Sequence, residues 1–218
     1  MSAADQRTLD EIGIAIAPAI ADAAAFDGWS ETALVQAAAD EGVNPDVALL
    51  AFPGGAMDMI DGWIRAVDAA MIAHFADGRL GNMKIRDRIR ELVQFRLDAM
   101  AGREEALRRA WAIQAMPQNL PRTLRIAWRS ADAMWRLAGD TATDYNHYTK
   151  RTLLAGIYSA TLAAFLDDDT PGKASTRAFL DRRIDGVMRF EKAKARWTAP
   201  KHGFDMARFL GRLRYPNR

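Results

Sequence analysis

The residues with chemistry to offer are few and scattered. Three histidines, His74, His147 and His202, lie far apart, and none sits in an H-x-x-x-H or E-x-x-H arrangement. Such spacing puts two ligands on one helix face toward a metal, so no metal site is expected. Asp144 and His147, three apart, share a face if their segment is helical, but two such groups read as a local side-chain pair. Asp167-Asp168-Asp169 reads as a solvated turn ahead of a helix N-terminus, where the helix dipole favours acids. No serine stands in a G-x-S-x-G motif, and no Gly-rich phosphate loop follows a strand, because no strand pattern is present. With no cysteine there is neither disulfide nor thiolate ligand. Catalysis is not expected of this chain, nor is a cofactor.

Aromatic and thioether side chains concentrate instead. Trp111, Met116, Trp128, Met134, Trp135, Tyr145, Tyr148 and Tyr158 fall within a stretch of fewer than fifty residues. Such a set makes either a large helical core or an apolar pocket lined by adaptable methionine and rigid aromatic rings. The pocket reading places Trp111, Met116, Trp128, Met134, Trp135, Leu154 and Tyr158 on its walls.

The elements that must position them are all helical. Gln6–Ala25 forms a first helix that tolerates Pro18. Ser30 is an N-cap for a second helix through Asp40, and Asn44-Pro45 starts a short third one to Ala51. Phe52-Pro53-Gly54-Gly55 breaks the chain before a fourth helix through about Ala76. Ile85, Ile89, Leu92, Val93 and Met100 form an apolar stripe, with Lys84, Arg86, Arg88 and Arg90 read as its solvated flank. Helices over Glu104–Met116, Leu120–Leu137, Asp144–Leu166 and Ser175–Arg196 follow. The expected organisation is a helix-turn-helix bundle over 1–76, a ligand-binding helical domain over 77–200 and a C-terminal amphipathic helix over 201–218. Ala163, Phe165, Phe179, Ile184 and Met188 offer more apolar surface than one buried stripe uses, which points to a homodimer through the last two long helices.

Charge separates the two halves. Between Thr8 and Ile64 there is no Lys or Arg, against ten Asp and Glu, while the 154 residues from Arg65 onward hold 29 basic and 17 acidic groups. A helix-turn-helix holds DNA chiefly by neutralising phosphates, so ten unopposed carboxylates exclude nucleic acid as a partner. From Lys173 onward there are 13 basic and four acidic residues. There Met206, Phe209, Leu210 and Leu213 recur at helical spacing, with Arg208, Arg212 and Arg214 mostly off the stripe. That helix either packs on its own domain or lies on an anionic membrane, with Phe209, Leu210, Leu213, Arg208 and Arg212 as its contacts. The N-terminal segment reads as neither a secretory signal nor an Arg-rich transit peptide, which gives a cytoplasmic chain.

Two stretches resemble known families. Gly28-Trp29-Ser30 through Glu41-Gly42-Val43 and Phe52-Pro53-Gly54 looks like the helix-turn-helix half of TetR-type regulators, without their basic residues. The run from Asp132 through Met134-Trp135 to Ala138-Gly139-Asp140 is more specific. So is Asp144, Asn146, His147 and Tyr148-Thr149-Lys150-Arg151, followed by Tyr158 and Thr161. Together these are similar to the ubiquinone-biosynthesis accessory family known as the ninth Coq protein. Phe52-Pro53-Gly54-Gly55, Lys84-Ile85-Arg86, Pro117 to Asn119 and Phe179-Leu180 to Arg183-Ile184 fall where that family has them. The resemblance covers roughly residues 28–190.

It implies an all-α, TetR-like fold that has given up DNA and binds an isoprenoid lipid in its second domain. It further implies an accessory role, as a homodimer, beside a di-iron hydroxylase acting on a membrane-held quinone precursor. By that resemblance Asp144, His147, Tyr148 and Arg151 form the docking patch for the hydroxylase, with His147 standing where some relatives carry Trp. For Arg151 an internal salt bridge is the alternative. The location implied is peripheral on the inner membrane surface, on the matrix side for a processed mitochondrial protein. The competing reading is a TetR-type transcriptional regulator with a hydrophobic ligand, which needs a basic third helix that Asn44–Ala51 does not supply.

Overall fold

Thr8, Ser30 and Asn44 each stop the chain in an extended conformation and turn a side-chain oxygen onto a backbone N–H of the helix that follows. Thr8 does so in a capping box with Glu11. The helices so begun are α1 (Leu9–Asp27), α2 (Glu31–Asp40) and α3 (Pro45–Ala51). Then come α4 (Ala56–His74), α5 (Ile85–Asp98), α6 (Glu104–Gln114), α7 (Leu120–Leu137), α8 (Tyr145–Leu166) and α9 (Ala174–Thr198). The structure, a computed structural model, describes residues 7–141 and 145–198, and no strand occurs among them. Asp144, His202, Arg208, Phe209, Leu210, Arg212 and Leu213 lie outside the described residues, as does the side chain of Met188.

Two compact units divide the chain, one running through Asp181 and the other from Arg182 onward. In the first, α1 packs on α2, α4 and α6, α4 meets α5, α6 and α7, and α7 runs along α8. Phe52, at the break after α3, fixes the crossing of α1 and α4. A Cβ added at Gly62 would stand 2.9 Å from the Phe52 ring and 3.4 Å from the Ala17 methyl, so glycine is what lets the two helices close on that ring. Trp29 reaches from the α1–α2 turn to α6, where its indole N–H donates to the Ala106 carbonyl at 3.0 Å. Gly28, at a φ of 70°, makes that turn possible.

The acid-rich first segment is opposed, in part, from within. Arg65 pairs with Asp10, Arg122 with Asp58, Arg103 with Asp22 at 2.6 Å and Arg129 with Asp61 at 2.5 Å. The charge asymmetry of the sequence is therefore partly a seam that joins α1 to α4 and both to the chain after α4. Glu31, Asp40, Glu41 and Asp46, on α2, α3 and the turn between them, remain exposed with no ion-pair partner among the described residues. The basic flank of α5 also departs from expectation. Lys84 and Arg86 are exposed, but Arg88 donates to the carbonyls of Met83, Ala138 and Gly81, and Arg90 holds Asp87 and Asp181.

Phe165 and Ile184, expected on a dimer seam, are 2% and 4% exposed in the single chain. The Lys173 ammonium covers the Phe165 ring at 4.7 Å from its centre. No single helix among the described residues is long and apolar enough to cross a membrane.

Asp168 corrects the picture of a solvated acidic turn. It is 6% exposed and accepts from the hydroxyls and backbone N–H groups of both Thr170 and Thr176, fastening the start of α9. The Thr170 hydroxyl above all, with Thr176 and the two N–H groups, holds its carboxyl far below the usual carboxylate range against the opposing effect of burial. A lowered folded-state pKa stabilises fully above the ordinary aspartate value of about 3.9 and loses that contribution as pH falls below it. Asp168→Asn is expected to lower the melting temperature at pH 7 and to flatten the fall in stability between roughly pH 4 and pH 2. Thermal melts across that range check both.

A cavity between α4 and α8

Five helices leave a space of about 260 Å³ between them. Ile60, Trp63 and Ile64 of α4 form one wall, and Leu107, Ala110 and Trp111 of α6 another. Ile126 and Ala127 of α7 and Leu162 of α8 close it, with Met100 below. Ala115, Leu120 and Ser159 also line it and are exposed, so they mark its opening. The space is somewhat smaller than the roughly 300–1,000 Å³ of sites for drug-sized ligands, and its walls are of the apolar and aromatic kind such sites use.

The deep end is polar and its groups bond largely to one another, leaving the buried Arg96 Nε without a partner among the described residues. Arg96 is 1% exposed, and its guanidinium pairs with Asp68 and donates to the Ser130 hydroxyl at 3.3 Å. Ser130 in turn donates to the other oxygen of Asp68 at 3.0 Å. The Tyr158 ring lies 4.8 Å from the guanidinium carbon. Burial pushes the Tyr158 phenol up, with the neighbouring Arg96 partly opposing it, so it stays neutral. Such a lining suits apolar molecules, and the residues that form it include no nucleophile paired with a base.

Of the seven residues expected on the walls, Trp111 and Tyr158 are there. Leu154 and Met134 are buried without lining the space, and Met116 is 43% exposed. Trp128 and Trp135, seven apart, share a different face of α7 from Ile126, Ser130 and Met134, so they point away from the cavity. Trp128 packs its ring on His147 and Tyr148, at 6.2 and 5.8 Å between centres, and Trp135 donates to the Lys150 carbonyl at 2.9 Å. Sequence reasoning missed Trp63, Ile60 and Ile64, because α4 had been assigned to the helix-turn-helix bundle. It also missed Arg96 and Asp68, although both carry a readable signal. Arg96 continues the Ile89, Leu92, Val93 stripe, and Asp68 lies one turn from Ile64 and Met71, so each is a charge on an apolar face.

The expected docking patch splits in two. Tyr148 is 61% exposed, and His147 stacks beside it at 5.2 Å. Arg151 is 2% exposed, bonded to Asp132 at 2.6 Å and to Asp140 and the His147 carbonyl. Its guanidinium is held in the internal salt bridge, the alternative reading for this residue, and is not displayed beside Tyr148 on the surface.

An all-helical chain with a helix-turn-helix at its N-terminal end and a cavity among the helices that follow has the fold of a TetR-type regulator. It superposes on the TetR transcriptional regulator from Nitrosomonas europaea ATCC 19718 with a TM-score of 0.63 and 21% identity, covering 80% of this chain and 96% of that one. Residues 120–191 match the COQ9 family. The chain is similar to the ubiquinone biosynthesis protein COQ9, mitochondrial, of Rattus norvegicus, at 30% identity over 168 residues, 74% of this chain and 54% of that protein. With the protein of that name from Drosophila melanogaster it shares 28% identity over 207 residues, 92% of this chain and 63% of that protein. With that from Homo sapiens it shares 34% over 111 residues, 51% of this chain and 35% of that protein. The chain is thus similar to COQ9 proteins, and the stretch that matches the family includes the pattern over residues 132–161. It spans about half the length of the first curated relatives it matches.

Proposed function

We propose that this chain is a lipid-binding accessory protein of ubiquinone biosynthesis. It holds the apolar part of an isoprenoid quinone precursor in the α4–α8 cavity and presents it, as a homodimer at the inner mitochondrial membrane, to a di-iron hydroxylase. The single observation that carries the reading is an apolar cavity inside a COQ9-related helical domain, without a catalytic constellation lining it. Its relatives are named for ubiquinone biosynthesis and as mitochondrial, which supports the pathway and the compartment. The exposed Tyr148, stacked with His147 and Trp128, supports a protein partner on the α7–α8 face. The membrane contact is assigned to Phe209, Leu210, Leu213, Arg208 and Arg212, from their spacing in the sequence alone.

The test is organic extraction of the purified protein followed by mass spectrometry. A prenyl lipid is expected with the wild type. Ala127→Trp, which fills the space from a half-buried position on α7, is expected to reduce its recovery at least about tenfold while the protein stays helical. Equal recovery from both proteins would remove the cavity from the account. The regulator reading is disfavoured by α2, α3 and the turn between them, which carry four exposed acids and no basic residue. A retarded band with duplex DNA at low salt would revive it.

A further inference from the structure

We propose that Gln114 selects the ligand by its polar end, so that the cavity takes lipids ending in an uncharged oxygen (an alcohol, a phenol or a quinone carbonyl) over hydrocarbons and anionic lipids. The proposal rests on the reading that the cavity holds a lipid, and it adds which residue reads the lipid's polar end. Gln114, the last residue of α6, lines the cavity and is 8% exposed. Its backbone carbonyl accepts from the Thr123 hydroxyl at 2.9 Å, while its side-chain amide bonds to no other group among the described residues and stays accessible to solvent through the cavity. A carboxamide can both donate and accept, and covering it with a ligand that offers no partner in place of water is costly.

The polar groups at the deep end are engaged with one another, the Arg96 Nε apart. Arg96 is neutralised by Asp68 and bonded to Ser130, so it has no charge to spare for a phosphate or carboxylate. An anionic head would be desolvated here without a counter-ion. A hydrocarbon would seal Gln114 from water with nothing in exchange. An uncharged oxygen satisfies it from either side, by accepting from Nε2 or, as a hydroxyl, donating to Oε1. Gln114 adjoins Ala115, which is exposed at the opening, so the polar end lies toward the mouth and the hydrocarbon runs inward along Trp63 and Met100.

Three probes with one tail and different heads separate the possibilities: farnesol, farnesene and farnesyl diphosphate. Their binding to the full chain is read by the fluorescence of Trp63 and Trp111, which line the cavity. Farnesol is expected to bind about tenfold tighter than farnesene, the effect of one satisfied buried hydrogen bond, and the diphosphate no tighter than farnesene. Gln114→Leu, or Gln114→Met if the leucine variant folds poorly, is expected to bring farnesol to the level of farnesene without weakening farnesene. Equal binding of farnesol and farnesene to the wild type would overturn the proposal while leaving the cavity a lipid site. So would a farnesol preference that survives in both variants, or a diphosphate that binds tightest. No binding by any of the three would overturn the lipid reading itself.

Discussion

Replacing Asp68 with alanine will destabilise the fold by about 3–5 kcal/mol, because it leaves the buried Arg96 guanidinium without its counter-charge. The effect should be among the largest of any single polar substitution here. Arg96 joins α5 to α4 through Asp68 and to α7 through Ser130, so three helices lose a common anchor. Replacing both partners is a different experiment. Asp68→Leu with Arg96→Met removes the charge and its counter-charge together, and buried pairs so exchanged are often neutral or even stabilising. Urea unfolding of the wild type, both single variants and the double variant measures the coupling. The expected result is a double variant well above either single one in midpoint, with unchanged slope. Single variants that each cost less than about 1 kcal/mol would show that the pair carries little of the fold's stability.

The local grammar of this chain was readable because it rests on neighbours in sequence. Ser30, Asn44-Pro45 and Phe52-Pro53 each mark a helix edge by chemistry confined to three or four residues, and the structure places the edges there. The cavity was only half readable because it depends on which helices meet. Aromatic density pointed to α7, yet Trp128 and Trp135 belong to its outer face, while Trp63, sixty-five residues upstream of Trp128, supplies a wall. Charge was misleading in a similar way. A count cannot distinguish Asp61, which answers Arg129 across the fold, from Asp46, which faces solvent. Arg151 and Tyr148 were likewise read together from one short motif, although three residues along a helix separate a buried ion pair from an exposed ring.

That separation gives the second large effect. Arg151→Ala is expected to cost on the order of 3 kcal/mol, since it strips Asp132 and the 5%-exposed side chain of Asp140 of their guanidinium. Lys150, which holds Asp140 at 2.6 Å, keeps part of the interaction. Arg151→Lys should recover little, because an ammonium cannot span Asp132, Asp140 and the His147 carbonyl as the planar guanidinium does. Tyr148→Ala, at an exposed position, should stay within about 0.5 kcal/mol of the wild type. Capture of the proposed hydroxylase partner should then respond in the opposite order at a temperature where all variants are folded. Tyr148→Ala is expected to lose it, whereas Arg151→Lys retains it in proportion to the folded fraction. If Arg151→Lys abolishes capture while keeping wild-type stability, Arg151 contacts the partner after all, through an opening of the α7–α8 pair that exposes it.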